Sequence, residues 1–189
     1  MMTNHTTWHL RRAANVLQDG GVIAYPTESV FGLGCDPRNG RAVLQLLALK
    51  RRDISLGLIL IAAELPQLRP FIRPLGPERM RHIEASWPGP ITWVFPAHPA
   101  TPDYLTGRHS SLAIRVSAQP SVVALCGHFG GALVSTSANV SGRPPARTVL
   151  EVRRYFGQRL DYILPGTVGG RPRPSEIRDA LSGRVLRAG

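Results

Sequence analysis

The chain is short of cysteine, lysine, aromatic side chains and long apolar runs, and each shortage excludes something. Two cysteines in 189 residues, Cys35 and Cys126, are too few for a disulfide scaffold and lack metal-site spacing. Cys126 follows the apolar run Val122-Val123-Ala124-Leu125 and reads as a small core residue, so neither thiol is a good nucleophile candidate. No apolar run approaches the ~20 residues a membrane-spanning helix needs. The segment Met1 to His9 lacks the basic and apolar regions of a signal peptide, so the cytoplasm is the expected compartment. There is no G-x-x-x-x-G-K-[ST] phosphate loop, no HExxH and no paired-cysteine spacing, so no metal site is expected. The segment Gly32-Leu33-Gly34 lacks the third glycine and the acidic partner of a dinucleotide fold and reads as a tight turn. The six histidines are scattered, and none has an obvious Ser or Cys partner, which leaves little support for a covalent mechanism.

What is present is positive charge. Lys and Arg total 23 against 12 Asp and Glu, a formal +11, which predicts attraction to polyanions such as nucleotides or tRNA. All but one of the basic residues are arginine, as a GC-rich genome would favour, but drift of that kind explains the choice of Arg over Lys and not the excess. The single lysine, Lys50, stands in the segment LALKRR (47–52).

With 43% apolar residues the chain can bury a substantial core as one domain, expected over residues 6–189. Helical periodicity is expected from about Trp8 to Asp19, over 41–49, in short helices over 64–72 and 77–86, and over 120–129 and 149–156. Strand patterns fall at 22–25, 58–62, 91–95, 112–116, a strand ending at Ser135, and near 162–164 and 185–186. Strands and helices alternate, with several links short enough for hairpins. That predicts an α/β fold, a single twisted sheet of mixed parallel and antiparallel strands flanked by helices. Residues 166–174, rich in Gly, Pro and Arg, are the expected mobile loop.

Three places carry candidate chemistry. Residues 135–141 pack four hydroxyls and an amide directly behind the apolar run Ala132-Leu133-Val134. Such a cluster at a strand's carboxyl end suits a small polar ligand, and an ST-turn running into a helix cap would use the same residues. Lys50 and Arg52 lie near the end of a helix, where cations complement the dipole on any surface and can also hold phosphate. Arg115 alternates with Ile114 and Val116 in an apolar strand, where a guanidinium needs an anion, either a structural carboxylate or a ligand.

Six ordered pieces resemble the YrdC-like family of threonylcarbamoyl-AMP synthases, in its short bacterial form. They are AYPTESVFGLGCDP (24–37), LALKRR (47–52), SWPGPITWVFPA (86–97), SLAIRVS (111–117), LVSTSANVSGRPP (133–145) and PSEIRDALSGRVLRAG (174–189). The resemblance runs from about Trp8 to the last residue and implies the YrdC-like fold. It also implies the reaction of L-threonine, bicarbonate and ATP to L-threonylcarbamoyl-adenylate, pyrophosphate and water. That product supplies the modification of adenosine 37 in tRNAs that read ANN codons.

By the same resemblance Lys50 and Arg52 hold nucleotide phosphates and are the catalytic pair. Thr27, Ser29, Arg115, Ser135 and Ser175 surround L-threonine, with Arg115 on its carboxylate, while Ser111, Ser137, Asn139 and Arg187 lie near ATP. Mg2+ is expected to ride on the triphosphate, since few carboxylates lie near these segments; Glu28 is the acid to consider for a water-mediated role, with an inward structural hydrogen bond the favoured reading. The downstream partners implied are the TsaB, TsaD and TsaE proteins, and the basic surface adds tRNA as a candidate contact, with no membrane expected.

There are departures. Ser29 replaces the threonine of many members, Asp53 stands where a proline usually follows the Lys-x-Arg pair, and Leu56 and Ile61 replace an asparagine and a histidine of longer relatives. Those relatives append a C-terminal domain, so the chain is expected to be a stand-alone catalytic domain.

Two other readings compete. A non-catalytic RNA-binding module, for tRNA or double-stranded RNA, would use the +11 charge, but 6% aromatics and no RNP-like string leave little for base stacking. A related carbamoyl-adenylate enzyme with another acyl substrate is the second, its known versions carrying acylphosphatase and zinc-finger modules that this chain has no room for.

Overall fold

The computed structural model describes residues 4–189, and for Asn4 and His5 only the backbone. Its elements, in chain order, are α1 (Asn4–Gln18), β1 (Ile23–Pro26), β2 (Phe31–Gly34), α2 (Gly40–Lys50), β3 (Ile59–Ala62), α3 (Pro77–Glu84), β4 (Ile91–Pro96) and α4 (Asp103–Thr106). There follow β5 (Ser111–Val116), α5 (Pro120–Phe129), β6 (Leu133–Ser137), α6 (Val149–Phe156), β7 (Tyr162–Ile163), β8 (Glu176–Asp179) and β9 (Val185–Arg187).

The described strands form one sheet in the order β7-β1-β2-β6-β3-β5-β4-β8-β9. The pairs β1–β7, β3–β5 and β4–β8 are parallel and the other neighbours antiparallel, which is the mixed sheet the link lengths imply.

Because side chains alternate along a strand, each strand divides its residues between two faces. On one face Phe31, Leu33, Leu60, Trp93, Ile114 and Val134 join Val43 and Leu46 of α2, Ile83 of α3 and Val152 of α6 in the larger core. On the other, Ile23, Tyr25, Ile61 and Leu133 pack under Leu10 and Leu17 of α1 and Val122 and Leu125 of α5. That second cluster takes no residue from β4, β5, β8 or β9 among those described. On this part of the face polar side chains, Thr92 and Arg115 among them, stand where the apolar cluster under α1 and α5 ends.

Several expectations need correcting. Gly32-Leu33-Gly34 is not a tight turn but most of β2, antiparallel to β1 with Tyr25 opposite Gly32. The two glycines leave room for the Tyr25 ring: a Cβ on Gly34 would lie 2.7 Å from its Cε1 and 2.6 Å from the Val134 carbonyl oxygen. The first helix starts at Asn4, earlier than Trp8. The expected helix over 64–72 is two short 3-10 turns, Leu65–Gln67 and Arg69–Phe71, each with a proline in its first turn. The hydroxyl cluster does not follow its strand, because β6 runs on to Ser137 and carries Ser135 and Thr136 within it.

Candidate active site

Strand parity gathers the polar residues. Arg115 is paired across from Ile61, and Ser137 across from Gly32, so both share the face of Tyr25 and Ile61. Ser135 alternates with Val134, and Thr92 with Trp93, and so both turn away from the larger core as well. Beyond the reach of α1 and α5 these side chains form the floor of a cleft of about 360 Å3.

Of the residues expected at the site, Thr27, Ser29, Arg52, Arg115, Ser135, Ser137, Ser175 and Arg187 line this cleft. Lys50, Ser111 and Asn139 do not. Thr136, a member of the hydroxyl cluster at 135–141 that was given no role of its own, lines it too, as does Thr92, which the sequence reading passed over. The signal for Thr92 was available: it is the polar residue inside the apolar strand Ile91–Phe95, the pattern that singled out Arg115.

The end of α2 sorts Lys50 from Arg52. Arg51 takes the left-handed conformation, φ 51° and ψ 46°, and closes the helix with Arg51 N–H on the Ala48 carbonyl (3.1 Å) and Arg52 N–H on the Leu47 carbonyl (3.0 Å). This is the Schellman pattern with an arginine where glycine is usual. The reversal sends Lys50 inward and Arg52 into the cleft.

Lys50 is buried, 2% exposed, and its ammonium donates to the Ser137 carbonyl, the Asn139 carbonyl (2.9 Å) and Asn139 Oδ1 (3.2 Å). Its own carbonyl accepts from Ser141 N–H at 2.9 Å. Ser137 Oγ donates to Asn139 Oδ1 (2.6 Å), and Asn139 Nδ2 donates to the Arg143 carbonyl (2.7 Å). An ammonium has three donors, so Lys50 is fully engaged in fastening the turn after β6. Burial, followed by the charge of Arg52, lowers its pKa to about 8.

Arg52 gives one N–H to the Gly57 carbonyl at 3.0 Å, while its buried Nε has no partner among the described residues; desolvation lowers its pKa. Arg187 donates to the Ser175 carbonyl at 2.7 Å, and partial desolvation and then the Arg115 charge lower its pKa. Ser175 Oγ and Thr92 Oγ1 are 2.9 Å apart. Arg115 meets the Glu28 carboxylate at 3.1 Å, and the other carboxylate oxygen accepts from Ser117 Oγ at 2.6 Å. Glu28 thus points inward, into contact with Arg115 and Ser117.

The segment over 166–174 has no regular secondary structure and makes two main-chain hydrogen bonds to the turn after β1. Gly169 N–H donates to the Thr27 carbonyl at 2.9 Å and Arg171 N–H to the Glu28 carbonyl at 3.0 Å, and Pro174 borders the cleft.

Among the described residues no Asp or Glu lines the cleft. Its donor set is guanidinium and hydroxyl, which suits phosphate and carboxylate groups and does not suit a resident divalent cation. Such a fold and site define an α/β protein with a cationic, hydroxyl-lined cleft for anionic substrates.

The chain belongs to the Sua5/YciO/YrdC family, whose model, described as "Telomere recombination", matches residues 15–189. It is 58% identical to the threonylcarbamoyl-AMP synthase of Halorhodospira halophila over 95% of this chain and 94% of that protein. It is 56% identical to the threonylcarbamoyl-AMP synthase of an Escherichia coli O6:H1 strain, over 94% of each chain. Among solved structures, P. abyssi Sua5 complexed with L-threonine superposes with a TM-score of 0.86 at 28% identity, covering 92% of this chain and 51% of that one. This chain therefore spans about half the length of that Sua5 protein. E. coli YciO, at 22% identity and a TM-score of 0.84 over 97% of this chain and 90% of its own, shares the fold.

Proposed function

We infer that this chain is a threonylcarbamoyl-AMP synthase, joining L-threonine, bicarbonate and ATP into L-threonylcarbamoyl-adenylate with release of pyrophosphate and water. The observation that carries the reading is the cleft itself: three guanidiniums and a row of hydroxyls, without a lining carboxylate, in a chain more than half identical to proteins of that name.

The chemistry asks for positioning of anions. The amine of threonine adds to the carbon of bicarbonate, water leaves, and a carbamate results. A carbamate oxygen then attacks the α-phosphorus of ATP, and the bond to the pyrophosphate oxygen breaks. Both partners of this second step are negatively charged, so fixed cations and hydroxyl dipoles lower its barrier more than an acid or base would.

In this assignment Arg115 takes the threonine carboxylate, with Thr27, Ser29, Ser135 and Ser175 around the amino acid. Arg52, Arg187 and Ser137 face the phosphates. Ser111 is assigned to the nucleotide further along β5, and Lys50 and Asn139 support the phosphate side from behind the turn after β6. Mg2+ arrives with ATP as part of the substrate, consistent with a lining that offers no carboxylate ligand.

A purely RNA-binding module is not favoured, since the relatives that match nearly end to end carry an enzyme's name. tRNA contact as an accessory remains part of the proposal: Arg143, Arg147, Arg171 and Arg173 are exposed beside the cleft, and Arg147 donates to the Arg171 carbonyl at 3.4 Å. The product is then consumed by the TsaB, TsaD and TsaE set in the cytoplasm. Among the described residues no helix is long and apolar enough to cross a membrane.

The test is pyrophosphate release from MgATP with bicarbonate, with L-threonine present or omitted. Threonine-dependent release that collapses in Arg52→Ala supports the assignment, and release indifferent to threonine refutes it.

A further inference from the structure

The cleft has three guanidiniums but is charged unevenly. Arg52 and Arg187 donate to carbonyl oxygens, which leave their charge uncancelled. Among the described residues Arg115 alone of the three has a counter-ion: Glu28 at 3.1 Å, with the two side chains only 10% and 12% exposed. The pair is largely shielded from solvent. Ile61, across the strand from Arg115, is fully buried, as are Ser117 and the ring of Tyr25. At such a site the field of one charge on its neighbour is weakly screened.

Glu28 is also firmly placed. One carboxylate oxygen accepts from Ser117 Oγ, which in turn accepts from Gln119 N–H at 3.1 Å, and the Glu28 carbonyl accepts from Arg171 N–H. The oxygen facing Arg115 is buried, and Glu28 does not line the cleft. It acts through Arg115 and not by touching the ligand.

We propose that Glu28 is a positioning residue that sets the charge class of the substrate accepted at Arg115, favouring a net-neutral zwitterionic amino acid over a carboxylate lacking the amine. The inference rests on the reading that Arg115 takes the amino-acid carboxylate. With Glu28 ionised, the Arg115 subsite is close to neutral overall, and a zwitterion enters it without creating net charge. A hydroxy acid brings an uncompensated negative charge beside the Glu28 carboxylate and is disfavoured. The phosphate side keeps its two free cations for the polyanion, so the cleft sorts its two substrates by net charge as well as by shape.

The experiment is calorimetric binding of two ligands, L-threonine and the hydroxy acid in which a hydroxyl replaces its amino group. The proteins are the wild type, Glu28→Gln and Ser117→Ala. Glu28→Gln keeps the shape and a hydrogen-bonding oxygen but removes the charge. The expected result is a shift of the affinity ratio by about tenfold toward the hydroxy acid, the size of one charge interaction at an intermediate effective dielectric. Ser117→Ala leaves the charge in place and should leave the ratio at its wild-type value. A Glu28→Gln protein that weakens both ligands equally shows a structural role only and overturns the proposal, as does a ratio that moves in Ser117→Ala as it does in Glu28→Gln. The wild type tests it even if the variants do not fold, since equal binding of both ligands contradicts it. Wild-type protein that binds neither ligand overturns the underlying reading of Arg115 and this inference together.

Discussion

The Lys50 ammonium holds both oxygens of Asn139, the main-chain carbonyl at 2.9 Å and the side-chain Oδ1 at 3.2 Å. A lysine read from the sequence as a phosphate ligand is thus the fastener of the turn that carries Ser137. Removing it in Lys50→Met leaves buried carbonyls without a donor, at ~1–3 kcal/mol for each group that finds no other partner. The expected outcome is a lower denaturation midpoint together with loss of nucleotide binding. Arg52→Ala, by contrast, should lose nucleotide binding at nearly unchanged stability. Chemical denaturation and nucleotide titration of the two variants separate these effects.

The same burial predicts a pH dependence. Lys50 titrates at about 8 in the fold against 10.5 in the free side chain, so between those values the unfolded chain binds a proton that the folded chain has released. Stability contributed by this group therefore rises with pH across that window. The difference in unfolding free energy between wild type and Lys50→Met should change in that sense between pH 7 and pH 10, measured by denaturant titration. Nucleotide binding should show the opposite trend, taking up protons near pH 8 and weakening above it as the ammonium is lost.

Arg51 holds the left-handed cap of α2 at φ 51° and is exposed. A non-glycine residue there costs roughly 1–2 kcal/mol, and glycine's entropy returns part of that. Arg51→Gly is expected to be neutral to about 1 kcal/mol more stable, with synthase activity kept, as read by thermal melting and turnover.

The Arg115–Glu28 pair should show the asymmetry of buried ion pairs. Arg115→Met strands a buried carboxylate, at about 3–5 kcal/mol, whereas Arg115→Met with Glu28→Met should recover much of that stability without recovering threonine binding. Denaturation of both variants reads the difference.

Much of this architecture was legible in the chain, for identifiable reasons. Apolar runs at 58–62 and 112–116 lie in strands buried between helices or at the sheet centre, where continuous hydrophobicity is the signal. β2 was missed because its two glycines look like punctuation; they are there to make room for Tyr25, a contact between strands that composition does not display. β8 was missed because Glu176-Ile177-Arg178-Asp179 has no apolar alternation. It is held instead by pairing with β4 and by Arg178 lying 5.8 Å over the Trp93 ring. The cleft residues carried their own signal where a polar group interrupted an apolar strand. That Lys50 stands behind the cleft's lining was not legible, because a single left-handed residue, Arg51, decides which way each neighbour points, and arginine gives no hint of that conformation.

The most direct test of the account is mass spectrometry of the product formed from MgATP, L-threonine and 13C-labelled bicarbonate. The account predicts an adenylate whose mass includes threonine and rises by the label, formed by the wild type and lost in Arg52→Ala and Arg115→Ala. ATP consumed without a labelled, threonine-containing adenylate, from well-folded protein, would contradict it.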